Sequence, residues 1–78
     1  MPKVKYLNCS GESAFKADMI EMHGNLASIA AVGRMLGYKS YQAIYNWLND
    51  NGISEFEING RRRYSVPEIA TAIWRSRV

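Results

Sequence analysis

Polar, uncharged side chains recur at helical spacing between residues 40 and 50. A helix there presents amide and phenol groups on one face, with no charge among them. Amide pairs match the donor and acceptor pattern on the major-groove edge of adenine, and tyrosines pack against thymine methyl groups or bond phosphate. The predicted base-contacting residues are Tyr41, Gln42, Tyr45, Asn46 and Asn49.

Basic residues lie on either side of this segment. Lys39 and Ser40 precede the helix, where free backbone N–H groups and the helix dipole favour a phosphate. Three consecutive arginines follow in the segment 55–64, and such groups neutralise DNA backbone charge or enter a narrow minor groove. The predicted backbone-contacting residues are Arg34, Lys39, Ser40, Asn59, Arg61, Arg62 and Arg63.

The polar segment belongs to a predicted helix-turn-helix. The first helix is expected over 26–36 with Asn25 as its N-cap, followed by a turn at Gly37 and a second helix capped by Ser40. Gly33 costs about 1 kcal/mol in a helix interior, which indicates a close approach by the second helix. The expected inward residues are Leu26, Ile29, Ala30, Gly33 and Leu36 in the first helix and Ile44, Trp47 and Leu48 in the second.

Two further helices are expected. The first runs from Glu12 or Ser13 to His23 and follows a capping-type start at Ser10. Gly24 is predicted to end this helix in a left-handed conformation. Its predicted buried residues are Phe15, Met19 and Met22. The other begins at the capping box Ser65-Val-Pro-Glu68, and its predicted inward residues are Val66, Ile69, Ala70, Ile73 and Trp74.

Asn59-Gly60 predicts a β-hairpin, and two registers compete for it. A two-residue turn pairs Ile58 with Arg61 and Phe56 with Arg63. A three-residue loop pairs each glutamate with an arginine, Glu57 with Arg61 and Glu55 with Arg63, and places Phe56 on the face of Tyr64. We favour the second register because it sets opposite charges across the strands.

Size and composition restrict the classes of protein that fit. The 78 residues predict one domain at 12–78, preceded by an arm or short strand at 1–11 in which Lys3 and Lys5 alternate with Val4 and Tyr6. A solvated tail is the alternative for that arm. Lone Cys9 excludes an internal disulfide, and no apolar run approaches the about 18 residues of a membrane span. We expect a cytoplasmic protein with no membrane, metal or cofactor association.

The net charge of +3 belongs to the second half of the chain. Residues 1–33 carry three lysines and three acids, whereas residues 34–78 carry seven basic groups and four acids. A charge of this size does not by itself identify a nucleic-acid partner. Because carboxylate pairs, nucleophile-base pairs and phosphate-binding glycine loops are missing from the sequence, we do not expect an enzyme.

The combined pattern resembles the small winged helix-turn-helix domains of the excisionase and MerR-like group. The resemblance covers residues 26–74 and is carried by Leu36-Gly37, by Ala43-Ile-Tyr-Asn-Trp-Leu48, by Phe56-Glu-Ile-Asn-Gly-Arg-Arg-Arg-Tyr64 and by Pro67-Glu-Ile69. The turn after Gly37 is one residue longer than the group's common form. The implied fold is mainly α with a small hairpin, the wing: about four helices plus two strands.

The resemblance implies sequence-specific binding of double-stranded DNA by a transcriptional regulator, or by an excisionase-like architectural factor of a phage or mobile element. A homodimer, a cooperative oligomer and a partner recombinase all fit so small a module, because one module contacts few base pairs. Two alternatives remain open: a protein-interaction module that uses the tyrosine-rich face, and a phage packaging or replication domain that binds DNA.

Overall fold

A computed structural model describes residues 11–76. In this range the chain is mainly helical, with a small antiparallel sheet. The elements in order are α1 (Glu12–His23), β1 (Leu26–Ala27), α2 (Ile29–Leu36), α3 (Tyr41–Asp50), β2 (Glu55–Ile58), β3 (Arg61–Ser65) and α4 (Val66–Arg75). The four predicted helices are present, but the sheet has three strands where two were expected. Apart from Gly11, the predicted N-terminal arm lies outside the described residues.

The unpredicted strand is β1, which lies beside β3 in the sheet order β1-β3-β2. Leu26 pairs with Ser65 and Ala27 with Tyr64, and the Val66 N–H donates to the Asn25 carbonyl over 2.9 Å. The expectation of a helix from Leu26 capped by Asn25 is therefore wrong. Pairing with β3 holds the backbone of Leu26 and Ala27 extended, and the helix starts only beyond it.

Ser28 is the N-cap of helix α2, and its Oγ accepts a hydrogen bond from the Ala31 N–H over 3.3 Å. Its buried face is centred on Val32, which is fully buried, and on Gly33. Ala30, predicted to face inward, is exposed. The reason is that α2 packs against β3 as well as α3, which turns Val32 toward the core and Ala30 toward solvent.

The hairpin adopts the two-residue turn, so the favoured three-residue register is wrong. Glu57 lies opposite Arg62 and Phe56 opposite Arg63, and the turn residues Asn59 and Gly60 both have positive φ, 54° and 77°. A turn with two positive φ angles matches the right-handed twist of the strands, and Asn-Gly is its preferred sequence. This geometry outweighs exposed cross-strand charge pairs, each of which contributes well under about 1 kcal/mol.

Helix α1 packs along α4, with the rings of Phe15 and Trp74 5.6 Å apart. None of its side chains is fully buried, and Met22, predicted to be buried, is 65% exposed. Met19 and Ile20 pack against the core, whereas Met22 lies on the exposed side of the same helix. Gly24 ends the helix with φ 82° and ψ −178°, so its φ is positive as predicted but its conformation is not left-handed helical.

Helix α4 starts as predicted, with the Ser65 Oγ accepting from the Glu68 N–H over 3.4 Å. The reciprocal half of the predicted capping box is absent, because the Glu68 carboxylate instead accepts a 2.8 Å hydrogen bond from the Ser54 N–H. This bond fastens the entrance of β2 to the start of α4. The core that results contains Ala27, Val32, Ile44, Leu48, Tyr64, Val66 and Ile69.

No helix within residues 11–76 combines the length and the apolar character that crossing a membrane requires.

Candidate nucleic-acid interface

The orientation of α3 is fixed by its cap and by its buried side. The Ser40 Oγ accepts a hydrogen bond from the Ala43 N–H over 3.4 Å, which confirms the predicted start of this helix. Ile44 and Leu48 are almost completely buried and Trp47 is half-buried, as the helical spacing predicted. With these residues fixed in the core, the opposite side of α3 must face solvent.

The turn before α3 brings the two helices into close contact. Gly37 is left-handed, with φ 76° and ψ 19°, and the Tyr38 N–H donates to the Gly33 carbonyl over 3.0 Å. A Cβ atom at Gly33 would lie 2.7 Å from the Ile44 Cδ1 and 3.2 Å from the Tyr38 carbonyl oxygen. The predicted close approach at Gly33 is confirmed, and it sets the distance between α2 and α3.

The five predicted base-contacting residues are all exposed on the outer face of α3, and the exposed Asp50 ends the helix. Tyr41 is 59% exposed and Tyr45 42%. The Gln42 Nε2 donates to the Asn46 Oδ1 over 3.1 Å, which leaves the Gln42 carbonyl oxygen and the Asn46 amino group available to a partner. The structure thus holds a neighbouring acceptor and donor in place on an exposed helix.

Basic residues lie at the start of this face. Lys39 and Ser40 are exposed immediately before the first turn of α3. Arg34 is exposed in the last turn of α2, one residue after the glycine that contacts Ile44. Neither Lys39 nor Arg34 forms an ion pair with any residue that the structure describes. Both cations are therefore open to an anionic ligand.

The three hairpin arginines do not form one cluster, because side chains alternate between the two faces of a strand. Arg62 shares a face with Tyr64, and its Nε lies 3.1 Å from the Glu55 Oε2 in an exposed ion pair. Arg61 and Arg63 point to the other face. Arg63 donates to the Arg62 carbonyl over 2.9 Å, whereas Arg61 has no ion-pair partner within residues 11–76.

A groove of about 270 Å³ separates α3 from the hairpin. The lining residues are Tyr45, Leu48, Asn49, Ile53, Glu55 and Tyr64. Burial raises the pKa of Tyr64, and the nearby Glu55 carboxylate and Tyr45 raise it further. The Tyr64 hydroxyl is buried, and no group within residues 11–76 forms a hydrogen bond with it. The outer face of α3 and the Arg62 face of the hairpin thus border the same groove.

The opposite face of the hairpin combines apolar and basic side chains. Phe56 is 44% exposed and Ile58 46%, although the favoured register placed Phe56 beside Tyr64. Ile58, Arg61 and Arg63 line a depression of about 520 Å³ together with Leu26. Sequence reasoning missed this surface, and the two-residue turn register was the signal that would have located it.

The chain matches no family model, no curated protein and no solved structure. In the part of the chain described, no group of three His, Cys, Asp or Glu side chains is placed to hold a metal ion.

Proposed function

We propose that this chain binds double-stranded DNA in a sequence-specific manner as a winged helix-turn-helix protein. In this proposal α2 and α3 are the helix-turn-helix, α3 is the recognition helix, and the β2–β3 hairpin is the wing. The observation that carries the proposal is the outer face of α3: exposed, rich in hydrogen-bonding groups and uncharged from Tyr41 to Asn49, on a helix whose other side is fixed in the core.

Base contacts are assigned to α3 in the major groove. Gln42 and Asn46 present an acceptor and a donor whose relative positions are held by their mutual hydrogen bond, and amide groups of this kind bind adenine in bidentate fashion. Tyr41 and Tyr45 supply apolar contact to thymine methyl groups, and Asn49 extends the row by one turn. Because Gln42 and Asn46 are already ordered, binding loses little side-chain entropy there.

Backbone contacts are assigned to the residues around this face. Lys39 and Ser40 accompany the free N–H groups at the start of α3, and Arg34 adds a second unpaired cation. At the wing, Arg61 is available without rearrangement. Arg62 must leave Glu55, but an ion pair with both side chains largely exposed is worth well under about 1 kcal/mol and yields to phosphate.

The biological role that fits is that of a small transcriptional regulator or an excisionase-like architectural factor of a phage or mobile element. This part of the proposal is supported by the resemblance of residues 26–74 to such domains. A module with one recognition helix contacts few base pairs, so useful specificity calls for a second copy, cooperative neighbours or a partner recombinase.

Selection of bound duplexes from a random pool tests the proposal. We expect the selected duplexes to share a motif with adenines close enough together for one recognition helix to contact them. We also expect the affinity to fall about a thousandfold between about 50 and 200 mM salt if six or more phosphates are contacted. Repeated half-sites in the motif would show that two copies bind together. A pool that stays random, with binding insensitive to salt, would refute DNA binding.

A second candidate, a protein-interaction module, is supported by the exposed Phe56 and Ile58 on the hairpin. Exposed aromatic and aliphatic groups beside arginines are typical of the centres of protein interfaces. The two candidates differ in salt dependence, since only DNA binding releases counterions from a polyanion.

A further inference from the structure

The outer edge of β2 is unpaired among the described residues, because β2 is the last strand in the sheet order. In a two-residue hairpin the pair flanking the turn, Ile58 and Arg61, exchanges hydrogen bonds, and the next pair, Glu57 and Arg62, does not. The N–H and C=O groups of Glu57 and of Glu55 therefore point away from β3. All residues of β2 are exposed, so these groups form an accessible template for another strand.

Pairing between two β2 strands of separate copies is disfavoured by charge. Directly opposed residues of an antiparallel pair share a face. Consider an antiparallel register in which Phe56 and Ile58 of both copies share one face. Glu55 or Glu57 of one copy then lies directly opposite a glutamate or the hairpin turn of the other copy. Like charges placed directly opposite destabilise such a pair. The edge of β2 is instead complementary to a strand that has basic residues on the glutamate face and apolar residues on the face of Phe56 and Ile58.

The sequence of the chain contains one such segment, Lys3-Val-Lys-Tyr-Leu7. With the lysines opposite Glu55 and Glu57, the intervening Val4 and Tyr6 lie beside Phe56 and Ile58. A slip by one residue would move the lysines to the face that carries Arg61 and Arg63. Charge and apolar contact thus favour the same alignment, and we propose that residues 3–7 dock on the outer edge of β2 as an additional antiparallel strand.

The start of α1 lies close enough for this docking within one molecule. The Glu12 Oε1 lies 4.0 Å from the Arg75 Nε, and Arg75 lines one groove with Lys16 of α1 and with Ile53, just before β2. An antiparallel strand brings residue 7 to the Glu55 end of β2. The four residues from there to Gly11 span up to about 14 Å, and Lys16 in α1 lines the same groove as Ile53.

Amide hydrogen exchange of the whole chain, followed by NMR without DNA, tests the proposal independently of DNA binding. The amides of Glu55 and Glu57 are expected to exchange about tenfold faster in the Lys3→Glu/Lys5→Glu variant than in the natural sequence. Adding Glu55→Lys/Glu57→Lys to that variant reverses the charges on both strands and restores protection. The Arg63 amide, which bonds to Phe56 inside the hairpin, is the internal control and keeps its rate in every variant.

Contacts between Hα protons identify the occupant. With Lys3 opposite Glu57 and Lys5 opposite Glu55, we expect a contact from Phe56 to Val4; in the register shifted by two residues the contact is to Tyr6. Equal exchange of Glu55 and Glu57 in the natural sequence and the Lys3→Glu/Lys5→Glu variant would overturn the proposal. Protection that disappears on dilution, with the contacts seen only between labelled and unlabelled copies, would assign the edge to a second molecule and overturn docking within one chain.

Discussion

Helix α3 and the β2–β3 hairpin are neighbours across one groove, yet they are held in the molecule in different ways. Helix α3 buries Ile44 and Leu48 and exposes an uncharged face on its other side. Strand β2 has no buried residue, and the hairpin is held at its base, where β3 enters the core at Tyr64 and Ser65 and the Ser54 N–H donates to Glu68. One element is fixed along its length, and the other is fixed at its base.

This difference suits the two kinds of contact that we propose. Base recognition needs side chains whose positions are set before binding, because a misplaced hydrogen bond loses discrimination. Contact with phosphate tolerates adjustment, because charge attraction acts over several ångströms. A helix with a buried stripe provides the first, and an arginine-rich hairpin held at its base provides the second.

The anchoring of the hairpin can be broken at Tyr64. Tyr64→Ala removes an almost completely buried ring, and we expect a loss of about 3–5 kcal/mol in the free energy of unfolding, measured by urea denaturation. Phe56→Ala, on the exposed side of the same hairpin, should cost under about 1 kcal/mol. Tyr64→Phe should be close to neutral, since no described residue forms a hydrogen bond with the hydroxyl. Equal costs for Tyr64→Ala and Phe56→Ala would contradict anchoring of the hairpin through Tyr64.

The proposed base recognition by α3 can be tested at Gln42. We expect Gln42→Ala to lose about 1–3 kcal/mol of binding to the preferred duplex while binding to unrelated duplexes changes little. The reason is that the variant loses an amide and also releases Asn46 from its hydrogen bond. Fluorescence anisotropy on matched and scrambled duplexes measures the difference. Ser13→Ala, an exposed change on α1, is the control and should leave discrimination intact.

Salt dependence separates the proposed contact of the hairpin arginines with phosphate from the proposed base recognition by α3. Arg61→Ala plus Arg62→Ala should weaken binding to every duplex and reduce the slope of log affinity against log salt by about 2. Gln42→Ala should leave that slope unchanged. The control Arg75→Ala removes a cation from the end of α4 and should not alter the slope. An unchanged slope in the double variant would remove the wing from the mechanism.

The smallest expected effect concerns the link between the hairpin entrance and α4. The hydrogen bond from the Ser54 N–H lowers the pKa of Glu68 against the opposing influence of burial. A lowered pKa in the folded state means that the ionised carboxylate stabilises the fold above its unfolded-state pKa. This stabilisation disappears as pH falls through the folded-state pKa.

Glu68→Gln should therefore cost about 1 kcal/mol at neutral pH, discounted for partial exposure, and little at acid pH. Urea denaturation of both proteins across the acid range measures this. Glu57→Gln, an exposed carboxylate on the hairpin, should change stability by less. If Glu68→Gln still lowers the free energy of unfolding at a pH below the folded-state pKa of Glu68, then packing, and not the charge, causes the loss.

Local chemistry was sufficient to predict several elements of the fold. Ser40 and Ser65 cap helices because their hydroxyls satisfy backbone N–H groups in the next turn, and Asn59-Gly60 forms the hairpin turn because both residues tolerate positive φ. Gly33 indicated the close contact of α2 with α3. The exposed face of α3 was predictable for the same reason, since it follows from the spacing of Ile44 and Leu48.

Other features depended on partners distant in the chain. Strand β1 has only Leu26 and Ala27, and it exists because β3 lies beside it. The hairpin register was mispredicted because exposed charge pairs were weighted above turn geometry. That error concealed the separation of Arg62 from Arg61 and Arg63, and with it the exposed face that carries Phe56.

The amino-acid sequence by itself determined where helices begin, where the chain turns and which side of α3 is polar. Caps, turns and helical spacing involve residues within a few positions of one another, so no distant contact is needed to establish them. Only the tertiary structure decided which face of the hairpin each arginine occupies and which residues border α3. Those relations depend on how β3 pairs and packs, and packing between distant segments has no local signal.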